Sequence, residues 1–158
     1  MTKQWWLGAF LSMAAAAVAN AQTLPTPKEK PVLTISGEIA TTNQGDTAQF
    51  DRAMLEDLGT VGIKTTTPWH NGVVSFEGVR LDKLMNRVGA KGRTVVAIAL
   101  NDYTTEIPIA DFEKYGTILA VKRDGEYMPV RDKGPLFIVY PYDSRAELKS
   151  QVTRLVVK

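Results

Sequence analysis

The stretch TILAVKRDGEYMPVRDKGPLFIVYPYD, residues 117 to 143, carries the clearest fold signal in the chain. Two β-rich arms, 117–123 and 126–130, flank Asp124-Gly125, a dipeptide suited to the tight turn of a hairpin. A polar segment, VRDKG (130–134), follows, and then the apolar run 134–143, which ends at Pro141 and reads as a buried strand.

The reading extends in both directions. Upstream, VLTISGEI (32–39) alternates as a strand, and VGIKTTT (61–67) is strand-like. RTVVAIAL (93–100) is apolar almost throughout, as expected of a central strand covered on both faces; YTTEIPI (103–109) pairs with it across Asn101-Asp102. GDTAQFDRAMLEDLG sets Phe50, Met54, Leu55 and Leu58 at helical spacing, capped by Asp46 or Thr47 and closed by Gly59. Leu81, Leu84, Met85 and Val88 form a second helical stripe ending at Gly89, and ADFEKYG gives one or two helical turns. Downstream, Ser144 and Glu147 form the capping box of a short helix, and VTRLVVK is a closing strand. The pattern, roughly seven strands and three short helices without internal repeats, is that of an α+β domain.

The N-terminus reads as an export signal: Lys3, an uncharged apolar run over 5–18, and Ala-Asn-Ala at 19–21 as the cleavage site. The apolar run is shorter than the ~20 residues of a spanning helix. The mature chain is expected to start at Gln22, so 158 residues less 21 leaves 137, enough for one domain with its own core. QTLPTPKEKP (22–31), with three prolines, reads as an extended tether, and 32–158 as a single domain. Removing Lys3 leaves 18 basic against 17 acidic side chains, a net charge of +1. Such a surface has no electrostatic footprint for nucleic acid and no polybasic run for membrane lipid. With zero cysteines and one histidine, thiolate catalysis, iron–sulfur clusters and multi-histidine metal centres are out of reach.

No Gly-x-Ser-x-Gly elbow, phosphate loop or dinucleotide fingerprint is present. Three polar segments remain at strand ends: TTTPWHN (65–71), NDY (101–103) and VRDKG (130–134). Trp69, the one tryptophan left after signal removal, stands beside the lone His70. An indole face can stack on a flat heterocycle, a carboxylate can accept two parallel hydrogen bonds from an amino-pyrimidinone edge, and an arginine can pair with a carbonyl. The same residues also admit ordinary readings: Trp69 as core, Asp102 as a turn residue, Arg131 and Lys133 as loop charges.

The chain resembles the oxidoreductase molybdopterin-binding domain, the sulfite-oxidase fold. The resemblance rests on Phe76-Glu77-Gly78-Val79-x-Leu81-x-x-Leu84, on Asn101-Asp102-Tyr103 with Ile107-Pro108, on Asp124-Gly125-Glu126, and on Gly134-Pro135-Leu136 with Pro141. It covers about 32–158 and implies mixed β-sheets with a few short helices. In the redox enzymes of this fold a cysteine ligates molybdenum from the stretch corresponding to 65–69, where this chain has none.

The resemblance therefore implies a non-catalytic pterin-binding protein of the bacterial periplasm, with pterin as ligand and no metal. Trp69 would stack on the ring, Asp102 or Asp132 would read its amino-pyrimidinone edge, and Thr67, His70, Tyr103, Arg131 and Lys133 would complete the site. The implied partner is the periplasmic domain of a membrane-bound sensor that makes or degrades cyclic-di-GMP. The alternatives are an accessory molybdopterin-type oxidoreductase and an interaction module whose cleft takes only a protein segment.

Overall fold

A computed structural model describes residues 23–67, 70–141 and 151–158. The export signal, Pro68-Trp69 and the capping box at Ser144 lie outside the described residues.

Two sheets carry the fold. The first holds β1 (Leu33–Gly37), β2 (Ala48–Phe50), β5 (Thr94–Ala99), β6 (Thr104–Pro108) and β10 (Val152–Val157), in the order β2-β1-β10-β5-β6. The first and last of the described strands meet here: β1 and β10 pair in parallel, with Ile35 opposite Leu155. The second sheet runs β3 (Thr60–Thr67), β4 (His70–Arg80), β7 (Ile118–Arg123), β8 (Glu126–Tyr127), with β9 (Phe137–Val139) also on β7. Three short helices, α1 (Arg52–Glu56), α2 (Leu81–Val88) and α3 (Ile109–Tyr115), complete the described α+β architecture.

The period-2 rule explains why β7 is apolar over its first four residues, 118–121. Leu119 and Val121 join the main core with Ile35, Phe50, Leu84 and Leu155, whereas Ile118 and Ala120 join a second cluster with Phe76, Phe137 and Val139. In that cluster the Phe76 and Phe137 rings meet edge to face at 5.4 Å. Each such fully buried side chain contributes ~1.5–3 kcal/mol relative to exposure.

The α2 stripe is as expected: Leu81, Leu84, Met85 and Val88 are buried, and Gly89 closes the helix at φ 60°. The Asp124-Gly125 turn has positive φ at both residues, as a two-residue hairpin loop requires.

Three features depart from or go beyond the local reading of the sequence. The helix expected from Asp46 or Thr47 begins only at Arg52, with Asp51 as its cap. Ala48–Phe50 forms a strand instead, because Ala48 and Phe50 are both buried against β1 in alternation, and pairing Phe50 with Leu33 outweighs the helical spacing. The second concerns β4, an eleven-residue strand that the sequence does not announce. Its alternation is broken by register shifts at Thr66/Thr67 and at Glu77/Gly78, so apolar residues change face along it.

The third is the proline-rich tether, which packs onto the domain. Leu24 is buried in the main core, and the N–H groups of Lys28 and Glu29 donate to Asp51 Oδ2 at 2.8 and 3.1 Å. Asn43 Nδ2 donates to Pro25 O at 2.7 Å. Prolines set an extended path, but apolar burial and these bonds fix its place.

Candidate functional site

The β3–β4 hairpin brings Thr67 opposite His70. Thr67 is buried, and its Oγ1 lies 2.7 Å from Nδ1 of the half-buried His70. Trp69 sits between them in sequence, outside the described residues.

The loop between β8 and β9 presents Asp132. Arg123, at the end of β7, pairs with it through both terminal nitrogens, Nη2 to Oδ2 at 2.5 Å and Nη1 to Oδ1 at 3.4 Å. The Arg123 hydrogen bonds hold the Asp132 carboxyl below the usual carboxylate range against partial desolvation, and the charges of Arg123, His70 and Lys133 add to that pull. The loop is turned by the N–H groups of Asp132 and Gly134, which both donate to Pro129 O, at 2.9 and 3.0 Å. Gly134-Pro135 is a cis peptide. A Cβ on Gly134 would stand 2.1 Å from Met128 O, so no larger residue fits there.

The β5–β6 turn supplies the third segment. Asn101 Oδ1 accepts from Tyr103 N at 3.2 Å, Asp102 takes φ 60°, and Asp102 Oδ1 accepts from Arg154 Nη2 at 2.7 Å. Tyr103 is 56% exposed. This turn is joined to the Asp132 loop through Gln151, whose carbonyl accepts from Leu100 N and whose N–H donates to Lys133 O, at 3.0 and 2.9 Å. Two of the three segments, the Asp132 loop and the β5–β6 turn, are thus tied together through Gln151.

Of the sequence-predicted residues, Thr67 and His70 pair across the β3–β4 hairpin, Asp132 and Lys133 lie on the loop between β8 and β9, and Asp102 and Tyr103 sit on the β5–β6 turn that Gln151 ties to that loop. Arg131 is exposed on the same loop. Sequence reasoning missed Arg123, Arg154 and Gln151, which hold the two aspartates and the loops. Only strand pairing reveals them, since nothing in their local sequence sets them apart.

Among the described residues no group of three or more His, Asp or Glu is placed to hold a metal ion. A cysteine-free chain also offers no thiolate, so its donor set does not fit a molybdenum centre anchored by protein sulfur. A cavity of about 180 Å³ lies elsewhere, between Leu24, Pro25, Phe50, Met54 and Arg87, and shares no lining residue with the polar loops.

The oxidoreductase molybdopterin binding domain matches residues 32–155. The chain belongs to that family. Its fold is the sulfite-oxidase type, seen also in the crystal structure of the sulfane dehydrogenase SoxCD from Paracoccus pantotrophus, with TM-score 0.59 at 19% identity. That likeness covers 79% of this chain and 37% of the matched chain in that structure, so this chain spans little more than a third of that chain's length. No curated protein matches the chain. Two family motifs acquire a structural cause. Gly78 lies where a Cβ would meet Leu119 O at 2.1 Å, which lets β4 and β7 pair closely at the register shift, and Gly134 turns the Asp132 loop.

Proposed function

We propose that this protein binds a pterin without a protein sulfur ligand to molybdenum, and that it does so as a sensor in the bacterial periplasm. The observation that carries the reading is the Thr67–His70 hydrogen bond at the hairpin tip; the Arg123-held Asp132 supplies the ordered carboxylate that the reading needs. At the stretch where redox relatives are expected to offer a thiolate, a chain of this family presents a hydroxyl and an imidazole already bonded to each other.

In this reading Trp69 stacks on the ring, Asp132 or Asp102 accepts from its amino-pyrimidinone edge, and Thr67, His70, Tyr103, Arg131 and Lys133 line the rim. Pterin availability is then relayed to the periplasmic domain of a membrane-bound sensor, such as an enzyme of cyclic-di-GMP metabolism. Calorimetric titration of the mature protein with tetrahydrobiopterin, followed in parallel by tryptophan fluorescence, tests it. A one-to-one isotherm supports the reading; a flat isotherm with unchanged fluorescence ends it. Capture of the sensor domain that depends on pterin supports the relay, whereas pterin-independent capture favours a plain interaction module.

Membership of an oxidoreductase family favours a second reading, an accessory molybdopterin-type oxidoreductase. Elemental analysis of the protein purified from periplasm separates the two. Stoichiometric molybdenum favours the enzyme, and its absence in pterin-loaded protein favours the sensor.

A further inference from the structure

We propose that Gln151 is a positioning residue that fixes the spacing between the β5–β6 turn and the Asp132 loop and thereby sets the affinity of the site. The inference rests on the pterin reading above and adds to it the residue that builds the site's mouth.

Three hydrogen bonds converge on this one residue. Its carbonyl takes Leu100 N at 3.0 Å, its N–H reaches Lys133 O at 2.9 Å, and its side-chain Nε2 reaches Val130 O at 2.8 Å. The next residue continues the seam, with Val152 N donating to Leu136 O at 3.1 Å. The 130–136 segment is thereby stitched to the first residues of β10, whose neighbour β5 carries the turn with Asp102 and Tyr103.

Two features separate positioning from mere stability. Gln151 adopts φ 56°, a left-handed conformation that is strained for a non-glycine residue. Glycine would make both backbone bonds there without that strain. What glycine lacks is the amide that reaches Val130. Val130 is 54% exposed, and water would satisfy its carbonyl at little cost if the amide were absent. The side-chain bond therefore adds little to folding, yet it ties the loop bearing Arg131, Asp132 and Lys133 to a rigid strand end.

The test uses the mature full-length protein with Gln151→Gly, which keeps the backbone bonds and relieves the dihedral, and Gln151→Glu, an isostere that cannot donate to Val130 O. In both variants without ligand, amide exchange at Asp132 and Gly134 should quicken. The urea midpoint of Gln151→Gly should not fall, and the affinity for tetrahydrobiopterin should drop about three- to tenfold, the equivalent of one lost hydrogen bond. Unchanged exchange overturns the proposal, as does faster exchange with unchanged affinity. Weaker binding with a matching loss of stability in Gln151→Gly makes the residue generally structural and also overturns it. If the wild-type protein takes up no tetrahydrobiopterin, the pterin reading fails, while the exchange data still decide whether Gln151 tethers the loop.

Discussion

Thr67 Oγ1 and His70 Nδ1 lie 2.7 Å apart and join the last residue of β3 to the first of β4. Thr67 is buried, so Thr67→Val keeps the shape and removes the ring's partner. The variant should unfold with a stability lower by ~0.5–1.5 kcal/mol, the usual net worth of such a bond. Urea denaturation measures this, and an unchanged midpoint would mean that water serves the imidazole equally well.

Asp51 is buried and receives three backbone N–H groups, those of Met54, Lys28 and Glu29. Burial pushes its carboxyl up, but these three bonds outweigh it and hold the group below the ordinary carboxylate value. A depressed folded value means that the contribution is complete above the unfolded value of ~3.9 and is lost as pH falls through the folded one. Asp51→Asn turns an amide N–H₂ toward donors. It should cost ~1.5–3 kcal/mol at neutral pH, the range for hydrogen bonds to a charged group. The gap between variant and wild type should narrow in acid, as followed by urea midpoints between neutral pH and the acid limb.

The two aspartates differ in setting. Asp132 stands within the electrostatic reach of His70 and is gripped by Arg123; Asp102 sits on an open turn, its side chain 83% exposed beside Arg154. Asp132→Asn should therefore clearly weaken tetrahydrobiopterin binding if this carboxylate reads the pterin edge. Asp102→Asn should have a much smaller effect. Calorimetry on the pair assigns the role, and a reversed order moves it to the β5–β6 turn.

Trp69→Ala should weaken the same binding by ~1–3 kcal/mol, the worth of one aromatic stacking contact. In a protein beginning at Gln22, Trp69 is the single tryptophan, so the fluorescence change of that form on titration reports on that position. Equal affinities in the two proteins would remove the indole from the site.

Gly78→Ala and Gly134→Ala place a Cβ against backbone, each 2.1 Å from a carbonyl oxygen. Backbone cannot rotate aside as a side chain can, so each should lower stability by at least ~1–3 kcal/mol, as overpacking does. Gly134→Ala should also disturb the Asp132 loop, with quickened amide exchange at Asp132, whereas Gly78→Ala should leave that loop in place.

The residues themselves determined the α2 stripe with its glycine end, the Asp124-Gly125 hairpin, the β5–β6 pair and the closing strand, because each is written in local periodicity and turn chemistry. Composition alone ruled out a thiolate ligand. Local patterns failed where a distant strand set the outcome. Phe50 pairs across to Leu33 and becomes strand instead of helix; β4 carries two register shifts that erase its alternation; Leu24 is drawn into a core that its prolines do not predict. The candidate site divides along the same line. His70, Asp102 and Asp132 are visible as polar residues at strand ends, but their holders, Arg123, Arg154 and Gln151, lie 9 to 52 residues from the groups they bind or in a different strand. Hydrogen bonds of that reach depend on sheet order and register. They exist only once the whole chain has folded, which is why tertiary structure, and not local sequence, decided what the polar segments meet.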